Sequence, residues 1–162
     1  MAHGLAARWQ SRRWLRALCL LAGVALASVA GLELSYRWIL RGLPILPTPM
    51  AVPRKEALDY AWRSLGGAGA IRGEVLYPWM FGRVWNLDHL APSLKAAHYV
   101  AQFHILTLQD EQRISSINGL RGSIRERVLI VWLSRHWSVE QLVGWTYTAT
   151  VLPTAQRAKE AR

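Results

Sequence analysis

The strongest constraint on this chain is a run of sixteen residues, Ala17 to Leu32, that carries no charge and no proline. As a helix it measures about 24 Å, somewhat short of the ~30 Å hydrocarbon core of a bilayer. Trp14 and Leu15 lengthen it on one side, and Leu34, Trp38, Ile39 and Leu40 on the other. Glu33 and Arg37 have the i,i+4 spacing of an ion pair on one helix face. Such a stretch is expected to cross a membrane once. Arg8, Arg12, Arg13 and Arg16 precede it, whereas Arg37 and Arg41 follow it. This bias predicts a cytoplasmic N-terminus, with the rest of the chain on the other side. Ser28-Val29-Ala30 offers a small-residue cleavage site, so a removable signal peptide is the competing reading. Apolar residues continue past that point, which favours a retained anchor.

The 162 residues leave room for one modest domain besides the anchor. Residues 1–41 form the cytoplasmic N-terminus and anchor, and 42–55 a proline-rich spacer expected to hold the domain off the bilayer. Residues 56–153 form the helical domain and 154–162 a charged tail. Leu58, Ala61, Trp62 and Leu65 fall at helical spacing ahead of Gly66-Gly67, a stop signal. Residues 71–85 read as a short hairpin or irregular chain. Pro92, favoured at a first helical position, opens a helix through Leu94, Ala97, Tyr99, Ala101, Ile105 and Leu108. Ser115 to Gly119 reads as a break. Ser123-Ile124-Arg125-Glu126 has the form of a capping box, as does Ser138-Val139-Glu140-Gln141, and each predicts a helix start. Pro153 is expected to end the last helix.

The net charge of +10 has two sources. Up to Pro53 there are six Arg against one Glu; beyond it, fourteen Lys and Arg face nine acids. The second excess suits anionic lipid, lipid-linked phosphate or a polyanionic wall polymer. No nucleic-acid reader motif is present, and an anchor argues against that partner. Nine Trp against two Phe suit a surface that touches lipid headgroups or sugars. The single Cys19 lies in the apolar run, so it reads as packing filler, with no intramolecular disulfide and no thiolate cluster.

Two stretches of the domain resemble the bacterial peptidoglycan glycosyltransferases, found in class A penicillin-binding proteins and in monofunctional transglycosylases. The first is Val84-Trp85-Asn86-Leu87-Asp88-His89-Leu90-Ala91-Pro92 followed by Leu94 to Phe103. It is similar to the family's V-P-L-x-x-I-x-P and L-K-x-A-x-x-A-E-D patterns. The second is Gly122 to Glu126, then Leu133-Ser134-Arg135-His136-Trp137-Ser138 and Gln141 to Thr148. It is similar to R-K-x-x-E-A-x-x-A-x-x-L-E-R-x-Y-S-K-x-x-I-L-E-x-Y-L-N. Apolar positions, Pro92, Lys95, Arg135 and Ser138 match. The resemblance implies a mainly α fold, a truncated lysozyme-like helical domain behind one transmembrane helix. It also implies a bacterial inner-membrane protein whose domain faces the periplasm.

The resemblance places the family's general-base Glu at Gln102, and an amide does not accept a proton near neutral pH. Phe103 replaces the adjoining Asp, Gly144 the second Glu and Thr148 the closing Asn. The Arg-Lys pair falls at Gly122-Ser123, with Arg121 and Arg125 alongside, and the G-S-T-I-T-Q-Q segment is missing. Positions 102 and 144 are thus degenerate, and a non-catalytic relative is expected. Lys95, Arg121, Arg125 and Arg135 are the candidates for contact with a pyrophosphate or lipid headgroup. Glu126 is left open between a binding role and a helix cap.

Other groups carry less. His98 and His104 point to different helix faces and are expected to be ordinary histidines; no metal or other cofactor is implied. Asp110 and Glu111 read as a solvated helix end, and Gly66-Gly67-Ala68-Gly69 lacks the Lys-Ser/Thr of a phosphate loop. Glu74 and Asp88 are the acids available to a divergent active transglycosylase, the second hypothesis. A third is a structural membrane subunit of a larger complex. The expected partners are the bilayer, lipid-linked peptidoglycan precursor and cell-wall proteins.

Overall fold

The computed structural model of the protein describes residues 3–86, 89–114 and 120–151. Among these residues the architecture is helical and contains no strand. Helix α1 spans His3–Arg41, α2 Lys55–Ser64, α3 Pro92–Asp110, α4 Leu120–His136 and α5 Val139–Thr146. A 3₁₀ helix, Pro78–Val84, lies between α2 and α3, and Tyr147–Val151 widens into a π-type turn after α5. The breaks and stops expected at 115–119 and at Pro153 lie outside the described residues.

Within α1, Arg16–Arg41 is long and apolar enough to cross a membrane. Leu18, Leu20, Leu21, Val24 and Leu26 are exposed along it, and no other described part of the protein covers them. Cys19 is exposed in the same stretch. The last turns differ in kind. Tyr36 is buried, and Ile39 and Leu40 pack against the core of the domain. The helix therefore passes from an uncovered apolar shaft straight into the packed interior.

Helix α4 is the centre of that interior. It packs against α3, α1 and the 3₁₀ helix, and Leu129, Ile130, Val131 and Leu133 are wholly buried. Leu94, Ala97, Val100, Ala101, Ile105 and Leu108 of α3 form the facing stripe, at the spacing an amphipathic helix requires. Helix α5 closes the core from below α3 and α2 with Leu142 and Val143.

Local chemistry explains most element ends. Pro92 sits at the first position of α3. The Ser138 box is complete: the Gln141 N–H donates to Ser138 Oγ at 3.2 Å and the Ser138 N–H donates to Gln141 Oε1 at 2.8 Å. Gly66, at φ +87°, takes the left-handed position after α2, and the Gly67 N–H donates back to the Trp62 carbonyl at 2.9 Å. The Ser123 box is a correction. Helix α4 already begins at Leu120, so Ser123 stands inside it, and Glu126 is no cap.

Residues 71–77 form extended chain rather than a hairpin. Two hydroxyls pin it: the Glu74 N–H donates to Ser93 Oγ at 3.2 Å, and the N–H of fully buried Leu76 to Ser134 Oγ at 3.0 Å. The proline-rich stretch turns and bends at residues 42–45 and lies on the domain. Leu43 is buried, His104 Nε2 donates to the Ile45 carbonyl at 3.0 Å, and Pro53 presses on Gly144.

Candidate functional site

Arg121 and Arg125 are one helical turn apart on α4, on the side that meets the end of α1. There they line a groove of about 740 Å³ together with Trp38, Ile39, Arg41, Gly42 and Ile124. Three guanidinium groups thus share one concavity with an indole and two isoleucines. Arg41 closes α1, and Gly42 turns the chain away by donating its N–H to the Ile39 carbonyl at 3.0 Å. That turn leaves open space above the last turn of the apolar helix.

A bilayer crossed by α1 would set the height of the groove through the helix rise. Twenty residues of helix span a ~30 Å hydrocarbon core, so a span starting at Ala17 would reach the boundary near Tyr36. Trp38 and Arg41 would then stand about 3–8 Å beyond it. Trp38 is 77% exposed.

The other candidate residues disperse. Arg135 lies at the far end of α4, 3.8 Å from Glu33, with its guanidinium over the rings of Tyr36 and Tyr77 at 5.6 and 5.7 Å. Glu33 also takes the expected partner, Arg37, at 3.1 Å. Lys95 is part-buried on α3 and does not line the groove. Glu126 turns inward, with Oε1 2.7 Å from His98 Nδ1 and 3.4 Å from Arg127, whose guanidinium also covers Trp85 at 5.5 Å. This part-buried pair ties α4 to α3. It has the composition of a structural contact, and Glu126 stays out of the groove.

Positions 102 and 144, where the resemblance expects acids, have different surroundings. Gln102 is exposed on α3. Gly144 is buried, and a Cβ there would stand 2.4 Å from Pro53 Cδ. No acidic side chain fits at 144 unless the 43–53 segment moves. Glu74 is bound to Arg83 beside a cavity of about 220 Å³ that no other acid lines. Asp88 lies outside the described residues. Among the described residues no three His, Cys, Asp or Glu side chains gather at one point.

Comparison with protein-family models, with curated proteins and with solved structures finds no match. The chemistry of the groove therefore carries the functional reading. Sequence reasoning found Arg121 and Arg125 but assigned Trp38 and Arg41 to the anchor alone. The available signal was their spacing: three residues apart, they face the same way, so the last turn of α1 presents an aromatic and a cation together.

Proposed function

We propose that this protein is a membrane-anchored, non-catalytic binder of a lipid phosphate, with the ligand held between the end of its anchor and α4. One observation carries the reading: Arg41, Arg121 and Arg125 line a single groove at the end of the apolar helix. Guanidinium forks suit phosphate oxygens, and Trp38, Ile39 and Ile124 suit the glycerol or prenyl carbons next to them. The arginine excess before the span supports a cytoplasmic N-terminus, and the family resemblance suggests that the domain faces the periplasm of a bacterial inner membrane. The resemblance to peptidoglycan glycosyltransferases, with a truncated lysozyme-like domain, makes lipid-linked wall precursor the preferred member of this ligand class. Turnover is not part of the proposal, because Gln102 and Gly144 supply no group that moves a proton.

The test uses full-length protein in nanodiscs. Each arginine near an anionic headgroup contributes about 1 kcal/mol, so Arg121→Gln with Arg125→Gln lowers affinity for a pyrophosphate-linked lipid by about 30-fold. Lys95→Gln, outside the groove, leaves affinity unchanged. Equal loss in both variants would point to bulk charge and reject the groove. Polymer formed from lipid-linked disaccharide, and abolished by Glu74→Gln, would establish the divergent enzyme instead.

A second reading, a structural subunit of a larger complex, has its own support. Tyr99, Phe103 and Leu106 are exposed along one face of α3, at the spacing of a helix that docks on a partner. A stoichiometric partner released by Phe103→Glu, with lipid affinity intact, would favour it.

A further inference from the structure

We infer that the stacked pair Tyr77–Trp79 is a second membrane contact, seating the domain at the boundary between headgroups and hydrocarbon. The inference rests on the reading that α1 spans the bilayer, and it concerns a surface separate from the groove. Its starting point is Arg135, which reaches Glu33 and lies over both Tyr36 and Tyr77. Tyr36 lies one turn past Glu33, where the charge-free run has ended, and the shared Arg135 holds Tyr77 near it. Trp79 stacks on Tyr77 with ring centres 4.6 Å apart and planes within 5°.

Both rings remain open to the surroundings, Tyr77 at 41% and Trp79 at 50% exposure. Their backbone is firmly placed: Leu76 is tied to Ser134, Pro78 is buried, and the Met80 N–H donates to the Tyr77 carbonyl at 2.8 Å. The 3₁₀ helix carrying them packs directly against α1. Arg83 is exposed on the same short helix and paired with Glu74. A flat aromatic pair with polar edges, next to Arg and at this level of a spanning helix, fits the interfacial zone of a bilayer. Continuity with the span selects lipid over a protein partner as the occupant.

Depth-resolved quenching tests this in full-length protein with Cys19→Ser, reconstituted in phosphatidylethanolamine–phosphatidylglycerol vesicles. Single cysteines are introduced by Trp79→Cys, Arg83→Cys, Tyr60→Cys or Leu26→Cys, labelled with bimane, and exposed to lipids carrying nitroxide near the headgroup or deep in the chain. Shallow nitroxide is expected to quench labels at 79 and 83 at least threefold more than the label at 60 on α2. Trp79→Ser, added to the Arg83→Cys protein, is expected to lower that quenching towards the value at 60. Deep nitroxide is expected to quench the label at 26. If 79 and 83 match 60 while 26 is quenched, the second contact is refuted and the span stands. If 26 is also unquenched, the span itself is refuted, and the second contact with it.

Discussion

A side chain at position 144 would have to share its space with Pro53, whose Cδ stands 2.4 Å from where a Cβ would lie. Alanine normally gains up to about 1 kcal/mol over glycine within a helix. Overpacking against a ring costs about 1–3 kcal/mol. Gly144→Ala is therefore expected to lose on the order of 1 kcal/mol net in denaturant unfolding. Pro53→Ala in the same chain should return most of that loss, and strict additivity of the two changes would disprove the contact. The sequence shows a glycine at 144 but not its close approach to Pro53, which is distant along the chain. Glu126 teaches the same lesson. Its neighbour at S-x-x-E spacing suggests a cap, whereas its carboxylate answers His98 on another helix.

Helices whose ends depend on one or two residues were legible in advance. Pro92 and the Ser138 box act within their own turn, and their geometry follows from local chemistry. Helix α4 was not, because its first turn packs on the end of α1 and so extends beyond the apparent cap at Ser123. The contrast gives a prediction. Ser138→Ala is expected to destabilise the protein by about 1 kcal/mol, while Ser123→Ala, inside a helix, stays within about 0.5 kcal/mol of the parent. Urea unfolding of both variants checks it; equal losses would restore the box at Ser123. The groove was half legible: its α4 arginines stand out in sequence, but their meeting with Trp38 and Arg41 is tertiary.

At the scale of the whole molecule, the expected division between anchor, spacer and domain does not coincide with the packing. Tyr36 of the apolar helix and Leu43 of the proline-rich stretch are both core residues. Tyr36→Ala is expected to lower the unfolding free energy of the detergent-solubilised protein by about 2–4 kcal/mol, as loss of a buried aromatic does. Leu34→Ala, two residues away but 67% exposed, should change it little. Comparable effects from the two would mean that the end of α1 is not part of the core.

Helix α1 runs without interruption from His3 to Arg41 and ends inside the fold. A domain on a slack tether can swivel; one mounted like a blade in its handle turns only when the handle turns. A bilayer thinner than the apolar shaft makes that shaft lean. In the proposed anchored state that lean would pass to everything above, and membrane thickness would set the bearing on which the outer face of α3 is aimed.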